Sequence, residues 1–469
     1  MINNYTLVIF GGTGDLAHRK LLPALYNLEY EELLTENINI VSLGRRDYSN
    51  DEYLNEVNHS IKNYSRLDFR PAVWEKLKTK ITYLKMDYNN SKSFSYLNGY
   101  LMNLESNYQK NQRIYYLAVS PEHFEGIVEN LKLNQMNQVN TLPARIVIEK
   151  PFGKDLKSAE YLNDKIINVF SEENTYRIDH YLGKEMMQNI MVIRFANLMF
   201  EPIWNNKYIE RVDIISSETL GIGTRGNYYE HAGAIRDMVQ SHLLQLLSLV
   251  AMDKPKSLNN NAIRDEKIKV LKALKQFSND ELITHVIRGQ YKSYLNEDKV
   301  NPTSQTETYV ALKTYVENDR WRGVPFYIQT GKKMPIKTTE IIIRFKEVEN
   351  NLYHDTNPNL LVFKIQPEEG VFLSFNAKQV GATDTIIPVK MDFCQNCEIG
   401  FNSPEAYERL LLDVMRGDTT LFARWDEVEY SWRFIDTIIN GWKQGLSPLF
   451  IYEDNSIDPK DADKLLKNI

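Results

Sequence analysis

Tyr5-Thr-Leu-Val-Ile-Phe10, followed directly by Gly11-Gly-Thr-Gly14-Asp-Leu-Ala17, is the stretch of sequence that decides the fold. The first six residues are rich in strand formers, and the chain from Leu16 to Leu34 follows a helical pattern. Glycines between a strand and a helix permit a tight turn, and the exposed amides at the helix start attract a pyrophosphate. The stretch predicts a dinucleotide-binding turn. Its glycine spacing departs from G-x-G-x-x-G, so a plain structural turn is the alternative.

The rest of the amino-terminal region alternates strand-like and helical segments, which indicates a parallel sheet with helices on both faces. Further strands are predicted at Ile38 to Leu43, Arg113 to Val119 and Arg145 to Glu149. We therefore predict a Rossmann-like, doubly wound α/β domain over residues 1–177. Helices are expected next at Lys184 to Asn197 and at His231 to Met252.

Beyond Glu340 the pattern changes to strand-length apolar runs without intervening helices, which favours an antiparallel sheet. The runs are Ile341 to Phe345, Leu360 to Ile365, Val371 to Phe375 and Ile386 to Phe393. Two helical segments, Pro404 to Met415 and Asp426 to Trp442, are expected to close the chain against this sheet. Residues 178–469 are thus predicted to form an α+β domain with a large, mainly antiparallel sheet.

Composition limits the classes of partner and compartment. The 469 residues are 43% apolar and carry 56 basic and 62 acidic side chains, a formal charge of -6. This balance supplies no field that would hold nucleic acid or an anionic membrane. Cys394 and Cys397 are too few for a disulfide framework and are interpreted as incidental thiols, so we expect no metal and a cytoplasmic location. Neither a signal peptide nor a membrane-spanning run is indicated.

Cofactor contacts are predicted around the glycine turn and at the ends of the next two strands. The second strand ends in Arg45-Arg46, where an enzyme that prefers NAD would place an acidic residue. Arginine pairs bidentately with a ribose 2′-phosphate, so NADP is the predicted cofactor; two exposed loop arginines are the alternative. The predicted contacts are Gly11, Gly12, Thr13, Gly14, Asp15, Leu16, Lys20, Arg45, Asp87 and Tyr88, the last two beside the adenine.

Two longer segments are more specific: Ile148-Glu-Lys-Pro-Phe-Gly-Lys-Asp-Leu156 and Arg177-Ile-Asp-His-Tyr-Leu-Gly-Lys-Glu185. With the glycine turn, they resemble the signature of the glucose-6-phosphate dehydrogenase family. Further matches follow in order through essentially the whole chain, at Gly233 to Gln240, Gly331 to Lys333, Gln366-Pro367 and Leu412 to Asp418. The resemblance implies NADP-dependent oxidation of glucose 6-phosphate to 6-phospho-D-glucono-1,5-lactone, the first step of the oxidative pentose phosphate pathway.

The resemblance also implies roles for individual residues. Phosphate contacts fall on His180, Tyr181, Lys184 and Lys337, and sugar-hydroxyl contacts on Lys150, Glu218, Asp237 and Lys332. Separate surface charges are the alternative for the phosphate ligands, and strand-end or helix charges satisfied by a nearby basic residue are the alternative for Glu218 and Asp237. Lys150 would also contact the cofactor. From spacing alone, His180 and Lys184 lie four residues apart and would share a face if this segment enters a helix. Whether Pro151 forms a hinge with a cis peptide bond or simply ends a strand stays open.

A base must remove the hydroxyl proton during the oxidation, and imidazole titrates in the right range. His242 lies on an apolar helical face, so spacing alone favours a core histidine. The resemblance reverses that preference: it implies that His242 is the general base and that Asp179 orients it. A homodimer or homotetramer, with the antiparallel sheet as contact, is likewise implied. A dehydrogenase of another sugar phosphate or of free glucose, and a silent NADP-binding regulator, are the competing hypotheses.

Overall fold

The computed structural model describes residues 4–139, 142–353, 356–381, 385–394 and 404–457, together with Pro459, Ala462 and Leu465. The chain divides into two compact units. The first comprises Met1–Gly183 and Asn402–Trp425, and the second comprises Lys184–Phe401 and Asp426–Ile469.

The strands and helices of both units are numbered in chain order. The strands are β1 (Tyr5–Phe10), β2 (Ile38–Gly44), β3 (Ile81–Lys85), β4 (Gln112–Leu117), β5 (Gln138–Val139), β6 (Leu142–Pro143), β7 (Arg145–Ile148), β8 (Thr175–Ile178), β9 (Ile209–Ser217), β10 (Val286–Tyr291), β11 (Tyr309–Tyr315), β12 (Pro325–Gly331), β13 (Thr338–Phe345), β14 (Leu360–Gln366), β15 (Gly370–Lys378), β16 (Ile386–Cys394), β17 (Phe422–Ala423) and β18 (Leu449–Tyr452). The α-helices are α1 (Leu22–Tyr30), α2 (Asn50–Tyr64), α3 (Pro71–Lys78), α4 (Ser91–Leu104), α5 (Phe124–Leu133), α6 (Leu156–Ile167), α7 (Glu185–Ala196), α8 (Gly226–Ala234), α9 (Leu244–Ala251), α10 (Asn260–Lys272), α11 (Asn279–His285), α12 (Ala406–Arg416) and α13 (Trp425–Lys443). Two π-helical segments, Ala17–Leu21 and Ile235–Leu243, precede α1 and α9.

The first unit is built on a seven-stranded sheet in the order β17-β8-β7-β4-β1-β2-β3. All neighbours are parallel except β17, which runs antiparallel to β8. β1 and β4 are buried along their full length, as expected for a parallel sheet covered on both faces. The predicted Rossmann-like fold is confirmed.

The segment Asn402–Trp425 returns to this first unit, which the sequence pattern did not predict. Helix α12 packs against α1 and β4, so the expectation that it closes against the antiparallel sheet is wrong. A buried ion pair accounts for the placement: Arg66 contacts both oxygens of Glu408, and Asn27 donates to the same carboxylate at 2.9 Å. A buried carboxylate needs such partners, and they lie more than 300 residues away in sequence.

The second unit is built on a nine-stranded sheet in the order β16-β15-β14-β13-β9-β12-β11-β10-β18. Most neighbours are antiparallel, and the pairs β9–β12 and β10–β18 are parallel. Burial alternates residue by residue along β13, the pattern of a strand with one covered face. The predicted large, mainly antiparallel sheet is confirmed.

The helix predicted from His231 to Met252 is confirmed from Ile235 to Ala251, first as the π-helical segment and then as α9, but its predicted start is wrong. Gly233 has φ 64° and ψ 174°, which interrupts the helix at that residue. Cys394, at the end of β16, is disulfide-bonded, so the expectation of a thiol there is also wrong. Cys397 lies outside the described residues. Within the described ranges, no helix combines the length and apolar character needed to cross a membrane.

Candidate functional site

The glycine turn after β1 has a backbone that only glycine fits. Gly11 has φ +87°, and a Cβ at this position would lie 2.2 Å from the Ala118 carbonyl oxygen. A Cβ on Gly12 would lie 2.7 Å from the Cβ of Ser42, and the Gly14 amide donates to the Gly11 carbonyl at 2.8 Å. This close approach of backbone to backbone is the geometry that a dinucleotide turn requires. The turn therefore fits the cofactor expected from the sequence.

Tyr88 makes a hydrogen bond to this turn. Its hydroxyl accepts from the Gly11 amide at 2.8 Å and donates to the Leu43 carbonyl at 2.8 Å. Burial raises the pKa of Tyr88 to about 12, so the phenol remains a donor. Asp87 is exposed, and its Oδ1 accepts from the Asn89 amide at 3.0 Å. The contacts of both residues with the adenine stay predictions.

The charged residues predicted around the cofactor lie at the surface of the first unit. Arg45 is exposed just after β2. Asp15 pairs with Arg19 at 2.6 Å, and Lys20 pairs with Glu405 at 2.8 Å. Thr13 and Leu16 are half-buried in and beside the turn. Exposed ion pairs of this kind contribute little to stability, so these side chains can exchange partners at low cost.

Glu149 follows directly after β7, and the sequence motif assigned no role to it. The Tyr116 hydroxyl donates to Glu149 Oε1 at 2.5 Å, and the Tyr407 hydroxyl is a second partner. Burial raises the pKa of Glu149 to about 7, against the opposing effects of these phenols and of Lys150. The Lys150–Pro151 peptide bond that follows is cis, and the role of Pro151 as a hinge stays a prediction.

Asp179, after β8, is buried at 3% exposure, and its Oδ1 accepts from the Tyr181 amide at 3.0 Å. The rings of His180 and Tyr181 meet edge to face, 5.1 Å apart. The shared helix face predicted for His180 and Lys184 is wrong. Residues 180–183 form turns, and Lys184 is the extended N-cap of α7, which begins only at Glu185.

In the second unit, the charge of one predicted phosphate ligand, Lys337, affects the pKa of another, Lys184. The Lys184 ammonium donates to Gln366 Oε1. Burial lowers the pKa of Lys184 to about 8; the charge of Glu369 opposes this, and the positive charge of Lys337 adds to it. A second cation near a partly desolvated ammonium is unfavourable unless an anion offsets it. The Glu369 carboxylate partly offsets this repulsion, and the binding of a phosphate by Lys184 and Lys337 stays a prediction.

Three other predicted residues come together at one edge of the nine-stranded sheet. β9 and β12 are parallel, with Ser217 opposite Gly331, so Glu218 and Lys332 follow at the same edge. The Lys332 ammonium donates to Glu218 Oε2 and lies 3.9 Å from Asp237 Oδ2. Lys332 is buried at 3% exposure. We call Lys332, Glu218 and Asp237 the carboxylate–lysine cluster; it alternates acceptors and donors, as binding of a polyol requires.

Asp237 and His242 both lie on the π-helical segment, which packs against β12. His242 is 1% exposed. π-helical turns are rare and occur frequently at functional sites. The segment thus places the predicted base on the same element as a residue of the carboxylate–lysine cluster.

Tyr228, whose hydroxyl donates to Asp237 Oδ1 at 3.2 Å, was not predicted from the sequence. Its signal there is weak, since tyrosine is frequent in this chain, with 28 copies. Tyr116 and Tyr407, the partners of Glu149, were missed for the same reason.

Comparisons with known proteins cover the whole chain. Residues 8–189 match the glucose-6-phosphate dehydrogenase NAD binding domain, and residues 191–469 match the glucose-6-phosphate dehydrogenase C-terminal domain. Glucose-6-phosphate 1-dehydrogenase of Bacillus subtilis (strain 168) is 46% identical over 98% of this chain and 96% of the relative. That of Chlamydia muridarum (strain MoPn / Nigg) is 43% identical over 98% and 94%.

Solved structures agree. A glucose-6-phosphate dehydrogenase in complex with its substrate glucose-6-phosphate has a TM-score of 0.92 and 32% identity, covering 100% of this chain and 98% of that one. The glucose-6-phosphate 1-dehydrogenase of Mycobacterium avium has a TM-score of 0.87 and 34% identity, covering 99% and 97%. The chain belongs to the glucose-6-phosphate dehydrogenase family of oxidoreductases.

Proposed function

We propose that the chain oxidises β-D-glucose 6-phosphate at C1 to 6-phospho-D-glucono-1,5-lactone, with NADP as cofactor, as the first step of the oxidative pentose phosphate pathway. The observation that carries the proposal is the carboxylate–lysine cluster, a buried ammonium between two carboxylates in a chain whose relatives are named glucose-6-phosphate 1-dehydrogenases. Such a cluster offers both donors and acceptors to sugar hydroxyls.

In this mechanism residues 1–177 bind the cofactor, and residues 178–469 supply most of the substrate contacts and form the subunit contact. The glycine turn, Lys20, Arg45, Asp87 and Tyr88 hold the dinucleotide. Hydride acceptance is the chemistry that the nicotinamide supplies when it is bound. The phosphate is held by His180, Tyr181, Lys184 and Lys337, and the hydroxyls by Lys150 and the carboxylate–lysine cluster.

His242 takes the proton from the C1 hydroxyl, and Asp179 stabilises the resulting imidazolium. Burial excludes water from His242, so its imidazole is available to the substrate rather than to solvent. These two roles rest on the resemblance of the surrounding motifs. We expect His242→Asn to lower kcat by about 100-fold or more, the usual contribution of a general base. His231→Asn is the matched control, because His231 is exposed on α8.

The test of the activity is reduced-nicotinamide absorbance with glucose 6-phosphate, galactose 6-phosphate and glucose as substrates. Turnover of glucose 6-phosphate alone supports the proposal. Preference for the unphosphorylated sugar contradicts the phosphate assignments. Binding of the cofactor without turnover of any sugar leaves a silent NADP-binding regulator as the better description.

NADP preference is tested at Arg45. A bidentate contact with the 2′-phosphate predicts that Arg45→Glu lowers kcat/KM with NADP by about tenfold or more and leaves the NAD value little changed. Arg46→Glu is the matched control, since the Arg46 guanidinium instead donates to the Tyr48 hydroxyl at 3.1 Å. Equal losses in the two variants would remove the special role of Arg45.

A homodimer or homotetramer in contact through the nine-stranded sheet is proposed on the family resemblance, and light scattering on the purified chain measures its mass. We also propose a cytoplasmic location, because two cysteines allow at most one internal disulfide and no disulfide framework. Cell fractionation tests that location.

A further inference from the structure

Tyr228 contacts the carboxylate–lysine cluster from a neighbouring element. It is half-buried on α8, and its hydroxyl donates to Asp237 Oδ1 at 3.2 Å. The other oxygen of the same carboxylate, Oδ2, lies 3.9 Å from the Lys332 ammonium. The two oxygens of Asp237 therefore face two different partners.

The two contacts constrain Asp237 differently. An ammonium is a compact charge with three rotatable donors, and at 3.9 Å it attracts the carboxylate without fixing its rotation. A phenol on a rigid ring donates along one direction. Rotation of the carboxylate plane would break the bond from Tyr228, so this bond sets which oxygen points where.

The phenol keeps its proton over the working range, because burial and the negative charge of Asp237 raise the pKa of Tyr228 far above its ordinary value. It therefore acts as a donor throughout.

We propose that Tyr228 is a positioning residue, which holds the Asp237 carboxylate in the orientation that accepts one particular hydroxyl of the sugar phosphate. The proposal rests on the proposed function, since it assumes that Asp237 is a hydroxyl acceptor. It adds a determinant of sugar specificity outside the cluster itself.

The neighbouring Tyr229 provides a matched control. It is completely buried among core residues, including Tyr294, and its hydroxyl has no hydrogen-bond partner among the described residues. Tyr228→Phe removes a hydroxyl that orients Asp237, and Tyr229→Phe removes one that donates to nothing. Both variants keep their rings and so keep the packing.

The experiment measures kcat and KM for wild type and both variants with glucose 6-phosphate and with its single-deoxy analogues. Binding of glucose 6-phosphate is measured separately by calorimetry. We expect Tyr228→Phe to raise KM for glucose 6-phosphate about tenfold, with kcat changed less than about threefold and KM for NADP unchanged. Tyr229→Phe is expected to match wild type with every sugar.

The deoxy series supplies the decisive comparison. For the analogue that lacks the hydroxyl accepted by Asp237, Tyr228→Phe should leave KM almost unchanged. Asp237→Asn should also leave KM almost unchanged for this same analogue. A uniform loss across the series indicates a structural role and overturns the proposal, as does a variant that matches wild type throughout. If wild type neither binds nor oxidises glucose 6-phosphate, the proposed function fails and this proposal fails with it.

Discussion

Replacement of Lys332 by methionine tests the carboxylate–lysine cluster. Methionine keeps most of the volume of the lysine stem, so the change removes a buried charge with little loss of packing. Lys332 is 3% exposed and donates to Glu218, with Asp237 at 3.9 Å. Removing it leaves two carboxylates without their shared cation and takes one donor from the substrate.

The expected loss of kcat/KM follows from the burial of Lys332. The loss of a hydrogen bond from a charged donor typically costs about 1.5 to 3 kcal/mol. Lys332 is buried, so the upper part of this range applies. About 2.7 kcal/mol corresponds to a loss of about 100-fold in kcat/KM for glucose 6-phosphate.

Lys333→Met is the matched control for this measurement. Lys333 is the next residue, is more exposed, and lies 3.9 Å from Asp454, away from the cluster. We expect its kcat/KM to stay within about threefold of wild type, as for other partly exposed ion pairs. Circular dichroism verifies that both variants fold. If Lys332→Met and Lys333→Met behave alike, the cluster does not bind the sugar, and the reasoning from its burial is refuted.

Two further predictions concern the first unit. Because burial raises the pKa of Glu149 to about 7, its favourable contribution to the free energy of unfolding is complete at pH values below the unfolded-state pKa and is lost as the pH rises to about 7. This contribution changes by up to about 2.5 kcal/mol between pH 5 and pH 8, as measured by urea unfolding, and Glu149→Gln should abolish the change. Parallel curves of unfolding free energy against pH for the two proteins would contradict the prediction. Gly11→Ala should abolish cofactor binding, measured by calorimetry, because the new Cβ would meet the Ala118 carbonyl. Gly99→Ala is the control, since a Cβ at this position on α4 would lie in open space. This variant should bind the cofactor normally and gain about 0.5 kcal/mol in its free energy of unfolding. Normal binding by Gly11→Ala would show that the turn is not needed.

The parts of the fold that could be predicted from sequence depend on local patterns. β1 occupies Tyr5–Phe10, as predicted, because six consecutive apolar or β-branched residues end at a glycine that no other residue can replace. Helix α7 lies within one residue of its predicted bounds at each end. The antiparallel strands after residue 340 were recognised because they are strand-length apolar runs that follow one another without intervening helices.

Pairings between distant segments could not be predicted in this way. β17 is two residues long, too short for any periodicity, and its pairing with β8 depends on where the chain returns. The buried partners of Glu408 belong to α1 and to the loop after α2, and no local pattern connects them. Family motifs suggested candidate site residues, but not the contacts between them.

The contact between Tyr228 and Asp237 shows why contacts in the site could not be predicted from local sequence patterns. In an uninterrupted α-helix, residues nine apart lie on opposite faces and are separated by about 13 Å along the axis. They meet at 3.2 Å because the helix breaks at Gly233, where a Cβ would lie 2.2 Å from Glu307 Oε1. That carboxylate, from the segment before β11, accepts from the Ile235 amide at 3.0 Å and so satisfies a backbone donor at the start of the π-helical segment. The orientation of Asp237 therefore depends on a glycine and on a buried glutamate far along the chain, and helical periodicity reveals neither of these contacts.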